Sequence, residues 1–419
     1  MKFSDTIESY ISGDWGEEFP SEESPISVHC IRSADIVPYY NNIFDGIPVR
    51  YVAERSFNSR ELSIGDIVIE KSGGTNDCST GRVMYVSKEL LESNTPLLCS
   101  NFCSAFKVKK DWNPKYIYYF LRLVHKSGIF HNFEGKTSGI HNLQMEAAFD
   151  AIQIEKVSLE KQNKVVELLD TLERKITINR GIIKELESIS SELFAYWFLQ
   201  FDFPNENGHP YQSSGGKMVY NSKIKRDIPE GWLVKSLPEI AVFTNGIACQ
   251  KFRPVGSSAL PVIKIREMRD GFTKNTEFVR EDIPEKVKVY NGDILFSWSA
   301  SLEVMLWAYG IGGLNQHIFK VTSNNGWPKS FYYHHLLLYV GIFKKMAEAR
   351  KTTMGHITQE HLEQSQIVVP PSIDIALKFD EKVAPILDRI VTAYEEISLL
   401  NKQREELLPL LLNGQIKIN

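Results

Sequence analysis

The sequence predicts an α+β fold: two similar globular domains separated by two long antiparallel coiled-coil helices, with pseudo-two-fold symmetry. Three observations carry this. One run of landmarks occurs twice in the 419 residues. Each copy leads into a long helical stretch whose apolar residues alternate four and three apart, the spacing of a coiled-coil seam. Short β-branched runs precede both stretches, as strands do.

The first copy reads Ile31-Arg32, Gly65-Asp66-Ile67, Phe106-Lys107-Val108, Pro114-Lys115 with Tyr118-Tyr119, then Gly139. The second reads Ile265-Arg266, Gly292-Asp293-Ile294, Phe319-Lys320-Val321, Pro328-Lys329 with Tyr332-Tyr333, then Gly355. Between Phe106 and Phe319 the offset is 213 (319−106), and it reaches only 216 (355−139) at the glycines. Upstream it slides from 234 (265−31) to 227 (292−65), so the N-terminal halves of the copies differ in length. A period this long is a duplicated domain rather than a solenoid repeat.

In chain order, residues 1–157 form the first domain, with a strand over Ile64 to Ile69 and a helix over Tyr116 to His125. Residues 158–201 are the first long helix, free of proline up to Phe198 and with one glycine, its seam at Val165, Leu169, Leu172, Ile176, Ile183, Leu186 and Leu193. Residues 202–226, opening Asp202-Phe203-Pro204 and rich in Gly, Asn and Ser, read as a linker. The second domain spans 227–374, with strands over Leu260 to Ile265 and Ile294 to Phe296 and a helix over Phe331 to Lys345. The second long helix and a tail occupy 375–419, where the seam recurs 218 residues on at Val383, Leu387, Ile390, Tyr394, Asn401, Arg404 and Leu411. About 40 residues at about 1.5 Å each make a rod of roughly 60 Å. Antiparallel pairing sets Asn179 against Asn401, a polar pair that fixes register. The alternative, with one or both facing solvent, stays open.

Composition is that of an ordinary soluble globular chain, 43% hydrophobic and 24% charged. The start MKFSDTIESYISGDWGEE lacks a signal peptide's basic and apolar regions, and no run nears the roughly 20 apolar residues of a membrane span. A cytoplasmic location follows as the expectation. Five cysteines without a CxxC pair speak against a disulfide framework and a zinc site, leaving Cys99 and Cys103 as core thiols. The net charge of −4 does not advertise nucleic-acid binding. Basic residues nevertheless cluster at Lys107/Lys109/Lys110, Lys223/Lys225/Arg226, Lys264/Arg266/Arg269/Lys274 and Lys344/Lys345/Arg350/Lys351, each readable as a solvated face or a phosphate-binding patch.

Catalytic signatures are wanting. Asn113-Pro114-Lys115 and Val369-Pro370-Pro371-Ser372 both fall short of the Asn/Asp-Pro-Pro-aromatic motif of adenine N6 methylation. Gly135-Lys136-Thr137-Ser138 ends like a phosphate-binding loop, but Phe130 stands where its first glycine belongs. His141 and His356 lack a partner at recognisable spacing. No catalytic residue, metal or cofactor is expected.

The ordered set of features resembles the specificity subunits of type I restriction-modification systems. The matching stretches are Phe201-Asp202-Phe203-Pro204-Asn205 through Ser214-Gly215-Gly216-Lys217-Met218, Pro229-Glu230-Gly231-Trp232, the two Gly-Asp-Ile signatures and Leu407-Leu408-Pro409-Leu410-Leu411-Leu412-Asn413-Gly414. Essentially the whole chain is covered. Two departures concern how each long helix begins: Glu155-Lys156 replaces a proline pair, and Asp374-Ile375-Ala376 stands where Glu-Gln is usual. The resemblance implies a non-catalytic protein with two target-recognition domains. It would read an asymmetric bipartite sequence in double-stranded DNA, carry two methyltransferase subunits and be joined by restriction subunits, with no membrane partner. Rod length would then set the gap between half-sites.

Base reading calls for Arg or Lys against guanine and Asn or Gln against adenine, with Ser and Thr adaptable, and loops after strands present such groups. The candidates after the Gly-Asp-Ile strands are Lys71, Ser72 and Thr75 in the first copy and Ser297, Trp298 and Ser299 in the second. Near the paired glycines stand Lys136, Thr137 and Ser138, matched by Arg350, Lys351, Thr352 and Thr353, and Arg32 and Arg266 complete the set. For any one of them the alternative is a structural loop or salt bridge. Two rival functions stay open: a scaffold whose modules hold proteins, and a nucleotide-dependent enzyme built on Gly135-Lys136-Thr137.

Overall fold

The computed structural model describes residues 1–74, 78–137, 140–256, 258–299, 301–349 and 357–416. They divide into two compact units, Met1–Thr177 with Leu400–Asn419, and Ile178–Leu399. The long helices Leu159–Phe194 and Asp374–Leu412 each contribute to both units. The chain is α+β with two long helices, as its patterning predicts.

In the first unit the strands are β1 (Ile7–Ser12), β2 (Ile26–Ile31), β3 (Val49–Val52), β4 (Ile67–Glu70), β5 (Ser72–Gly74), β6 (Val83–Tyr85), β7 (Leu97–Cys99), β8 (Cys103–Val108), β9 (Glu134–Thr137) and β10 (Ile140–Leu143). They form a four-stranded sheet β1-β8-β4-β6 and three-stranded sheets β3-β2-β7 and β5-β10-β9. The helix Pro114–Lys126 starts where Asn113 accepts the backbone N–H of Lys115 and Tyr116, with proline in its first turn. Its buried Tyr116, Ile117 and Leu121 share one core with Phe3, Ile67 and Phe106 of the sheet region and with Val165, Leu169, Leu408 and Leu411 of the long helices.

The second unit holds β11 (Met218–Asn221), β12 (Arg226–Pro229), β13 (Leu233–Lys235), β14 (Val242–Asn245), β15 (Ala259–Ile263), β16 (Phe278–Arg280), β17 (Lys288–Val289), β18 (Ile294–Ser297), β19 (Glu303–Leu306), β20 (Gly312–Leu314), β21 (Ile318–Thr322) and β22 (Ile367–Val369). Its main sheet, β14-β21-β18-β19, repeats the order of β1-β8-β4-β6. A second sheet, β16-β15-β20-β17, sets β15 parallel to β20 as β2 lies parallel to β7. The strand expected over Leu260 to Ile265 is corrected at its end: β15 stops at Ile263 and Ile265 opens the helix Ile265–Asp270, because the Glu267 carboxylate accepts the Lys264 backbone N–H at 3.2 Å and caps it. The stretch 202–226 is more than a linker, since Asp202 accepts the Ser213 backbone N–H at 2.7 Å and its hydroxyl at 2.5 Å, Phe203 stacks on Tyr211 and Trp232, and β11 pairs with β12.

The Gly-Asp-Ile signature has a structural cause in both units. Gly65 and Gly292 take positive φ, +96° and +85°, in the turn before the strand. The aspartate then accepts a backbone N–H three residues back, Ser63 to Asp66 and Tyr290 to Asp293, each at 2.8 Å. A lysine of the neighbouring strand neutralises it: Lys107 lies 3.4 Å from Asp66, and Lys320 2.7 Å from Asp293.

Within each unit the long helices run antiparallel. In the first, Glu173 meets Arg404 while Val165 and Leu169 share a core with Leu408 and Leu411. In the second, Asn179 accepts from Arg389 at 3.5 Å while Phe194 and Trp197 pack on Phe379. The seam residues Val165, Leu169, Leu172, Ile176, Ile183, Val383, Leu387, Ile390 and Leu411 are buried. Tyr394, Asn401 and Arg404 are only half-buried, and Ala393 and Ile397 fill the second helix's seam beside them. Among the described residues no helix is long and apolar enough to cross a membrane.

Candidate functional site

Strand directions decide what each main sheet gathers at its ends. Both β1 and β4 are antiparallel to β8, so the last residues of β1 and β4 meet the first of β8. By the same logic the ends of β14 and β18 meet the start of β21. The buried Asp66 and the half-buried Asp293 sit at the opposite ends of the two sheets, before β4 and β18.

Backbone hydrogen bonds make the two ends residue-by-residue equivalents. Lys71 N donates to Phe102 O at 2.8 Å, and Trp298 N donates to His317 O at 3.3 Å. Leu143 N donates to Lys71 O at 2.7 Å, and Ile357 N donates to Trp298 O at 3.0 Å. Gly13 and Gly246 pass so close to the opposing chain that a Cβ would come within 1.9 Å of Ser100 O and 2.2 Å of Asn315 O. Lys71 therefore corresponds to Trp298, Phe102 to His317, and Ser12 to Asn245. In the first unit the two candidate loop groups are neighbours: β10 pairs both with β5, which carries Ser72, and with β9, which carries Lys136 and Thr137. Thr75 and Ser138 lie outside the described residues, as do Arg350, Lys351, Thr352 and Thr353.

In the first unit the end is polar and braced by charge. Lys71 is half-buried, and among the described residues no hydrogen bond or ion pair holds its ammonium. The Ser72 hydroxyl donates to Asn142 Oδ1 at 2.5 Å, and Phe102 beside it is 55% exposed. Arg82 grips buried Glu70 through one guanidinium edge, Nη2 at 2.5 Å and Nε at 2.7 Å. At the base of the β9–β10 hairpin, Glu134 accepts from Thr80 N at 2.6 Å and Thr80 Oγ1 at 2.8 Å, with His141 Nδ1 at 2.9 Å. Burial pushes the Glu134 carboxyl up, but these bonds outweigh it and leave its pKa lowered. His141 thus has a carboxylate partner that sequence spacing did not reveal.

In the second unit the same end is aromatic. The Trp298 indole lies 5.5 Å from the His317 ring and 6.0 Å from Phe319, and its Nε1–H donates to Asn245 Oδ1 at 3.2 Å. Gln316 Nε2 lies 3.3 Å from His317 Nε2. Ser297 is fully buried, its hydroxyl donating to Ser301 O and accepting from Glu303 N, and Ser299 is buried as well. Of Ser297, Trp298 and Ser299 at the end of β18, Trp298 is the one that reaches the surface.

The arginines sit apart from these ends in role. Arg32 holds Asp35 with Nη2 at 2.7 Å and Nε at 3.1 Å, and reaches Gly46 O at 3.1 Å. Arg266 holds Glu267 at 2.7 Å and Asn275 O at 2.9 Å. They are not equivalent to one another. Ser100 N donates to Ile31 O as Asn315 N does to Ile263 O, so Arg32 corresponds to Lys264. The Phe-Lys-Val repeat is likewise two residues out of backbone register, since Phe106 faces Ile67 whereas Val321 faces Ile294. A two-residue slip keeps every side chain on its own face, which is why the apolar pattern survives it. On the long helices, Asn179 is buried with its Arg389 partner, and Asn401 is half-buried.

Other chemistry is sparse. Among the described residues no group of three or more His, Cys, Asp and Glu side chains could hold a metal ion. Burial pushes the Cys30 thiol up to about 12 and holds Cys99 well above its ordinary value, so both behave as apolar core.

Asn245, Phe102, Asn142, Gln316 and His317 were not foreseen. The only sequence signal for them was position, ahead of a repeated strand or after a repeated turn.

A family model for the type I restriction modification DNA specificity domain matches residues 31–188 and again 229–408. The chain is 27% identical over 278 residues to the type I restriction enzyme MjaIX specificity subunit of Methanocaldococcus jannaschii, covering 64% of this chain. That match spans 61% of the relative's own length. It is 22% identical over 311 residues to the type I restriction enzyme HindI specificity subunit of Haemophilus influenzae, covering 61% of this chain and 67% of that protein. Among solved structures, the S subunit of a type I restriction-modification system from M. genitalium shares the fold, with a TM-score of 0.56 at 13% identity over 98% of this chain and 95% of that one.

Proposed function

The chain belongs to the type I restriction modification DNA specificity family, carrying the family's domain twice, and from that premise we propose that it reads double-stranded DNA as the non-catalytic specificity subunit of a type I restriction-modification complex. Each unit reads one half-site. Two methyltransferase subunits and the restriction subunits supply the chemistry.

One observation carries this reading: the same sheet end occurs twice on the same backbone hydrogen bonds, with unlike side chains. Ser12, Lys71 and Phe102 stand where Asn245, Trp298 and His317 stand. A duplicated scaffold presenting different polar and aromatic groups suits two different base sequences, because hydrogen bonds to base edges carry the specificity. The target is therefore bipartite and asymmetric. Lys71, Ser72, Thr75, Lys136, Thr137 and Ser138 serve the first half-site. Trp298, Arg350, Lys351, Thr352 and Thr353 serve the second, with Ser297 supporting the hairpin, Ser299 buried behind the surface, and Arg32 and Arg266 bracing the loops beside them. With a net charge of −4, the chain gains its DNA affinity largely in company with the methyltransferase subunits.

The test is methylation-sensitive sequencing of DNA from cells expressing this chain together with type I methyltransferase subunits. One motif of two unlike halves is expected. Methylation without a motif, or a motif with identical halves, would refute the reading, and ATP hydrolysis by the pure chain would favour an enzyme instead.

A further inference from the structure

The second unit contains a polar side chain whose orientation is fixed by a neighbour that can act in only one way. Asn245 ends β14 and is exposed. Its Oδ1 accepts the Trp298 indole N–H at 3.2 Å, and among the described residues its Nδ2 has no partner. An indole nitrogen is a donor only, so the amide must turn its oxygen toward Trp298 and its NH2 away. The indole is itself held: His317 flanks it at 5.5 Å and Phe319 at 6.0 Å, and its backbone N–H is bonded to His317 O at 3.3 Å. An exposed asparagine ordinarily samples both amide orientations and several rotamers. This one is set in advance, which lowers the ordering cost of binding.

We infer that Asn245 is a specificity-determining residue that reads one adenine of the half-site bound by the second unit, with Trp298 as its positioning residue. The fixed amide offers two NH2 protons and the second lone pair of Oδ1. In the major groove adenine offers the complement, an N7 acceptor beside an N6 donor, whereas guanine offers two acceptors and would leave Oδ1 facing O6. The equivalent position in the first unit cannot do this, because Ser12 lacks an amide and its Oγ is taken by Arg60 Nε at 3.1 Å. The adenine contact is therefore confined to one half-site. The inference rests on the DNA-reading function proposed above and names one of its contacts.

The experiment uses the full chain with its methyltransferase subunits, comparing wild type with Asn245→Ala, Asn245→Asp and Trp298→Phe by methylation-sensitive sequencing. Asn245→Ala is expected to lower discrimination at a single position of one half-site by about 5- to 150-fold, leaving the other half unchanged. Trp298→Phe keeps the ring and removes only the indole N–H, and should weaken discrimination at that same position less. Asn245→Asp retains the side chain's shape, loses its donors, and should lose the adenine preference there. An unchanged motif in Asn245→Ala overturns the inference, as does a uniform loss of methylation in both Asn245 variants. If the wild type itself shows no motif, it is the DNA-reading function that fails.

Discussion

Glu173 on the first long helix accepts a hydrogen bond from Arg404 Nη1 on the second at 2.9 Å, and the same oxygen accepts Arg122 Nη1 of the domain helix at 3.0 Å. One carboxylate thus ties the first domain to both long helices, at a point where the three side chains are no more than 26% exposed. Burial pushes the Glu173 carboxyl up, but Arg404 and then Arg122 outweigh it and its pKa is lowered. Removing it strands two guanidiniums. Glu173→Gln is expected to cost about 3 kcal/mol, a Tm drop on the order of 6–12 °C for a unit of this size. The wild-type contribution is present above the ordinary glutamate pKa and is lost as pH falls through the lowered one, so thermal melts of wild type and variant should converge toward acid.

Gly13 and Gly246 should be intolerant of any side chain, because the clash is with backbone oxygen and no rotamer relieves it. Gly246→Ala is expected to cost about 3 kcal/mol, at the upper end of overpacking penalties. It should also perturb Asn245 and the start of β21, read as lost hydrogen-exchange protection at the Ile318 amide, while Gly341→Ala, in the helix Lys329–Ala349 with open space around it, perturbs neither.

Much of the fold was legible because it is written in periodicity. The four-three seam placed both long helices, and Val165, Leu169, Ile176, Val383 and Ile390 are buried as it requires. What identity matching could not supply was register. Ile31-Arg32 and Ile265-Arg266 look alike, yet Ile31 corresponds to Ile263, since strand equivalence is set by which carbonyl receives Ser100 N or Asn315 N. The aspartate of Gly-Asp-Ile was visible as a repeat, but its role depends on a lysine 41 residues on in one copy (107−66) and 27 in the other (320−293).

The site was legible in part for the same reason. Segments after a repeated strand could be named, which found Lys71, Ser72 and Trp298. Asn245, at the end of β14, and His317, in the turn before β21, are distant in sequence from Trp298 and reach it only through the antiparallel pairing of β14 and β18 with β21, so no local pattern marks them.

His334 and His335 predict acid sensitivity of the second unit. Both lie among Phe194, Phe198, Phe331 and Phe379, and the Nε2 of each is buried without a hydrogen-bond partner among the described residues. Burial lowers their pKa to about 4 and about 3, and for His335 the neighbouring His334 adds to it. Both are neutral above the ordinary histidine value of about 6.5, where their neutral packing costs nothing extra. As pH falls below it the unfolded chain takes up protons that the folded one refuses, so stability declines between about 6.5 and the lowered values. His335→Leu should flatten the decline, measured as urea midpoint against pH. An unchanged slope would locate the acid sensitivity elsewhere.

Lys71 and Trp298 occupy equivalent backbone positions, yet they should fail differently. Lys71 presents a point charge with no partner among the described residues, suited to a phosphate. Trp298 presents a ring and a donor already directed at Asn245. With the methyltransferase-loaded chain on its own target, Lys71→Ala should weaken binding of specific and unrelated duplexes alike. It should also reduce the slope of log K against log salt by about 1, the loss of one phosphate contact. Trp298→Phe should leave the salt slope unchanged and narrow the gap between specific and unrelated DNA. The decisive measurement is affinity for both duplexes across a salt series. If Lys71→Ala instead relaxes a base position at constant slope, the lysine reads a base, and guanine, with its O6 and N7 acceptors, is the base it would read.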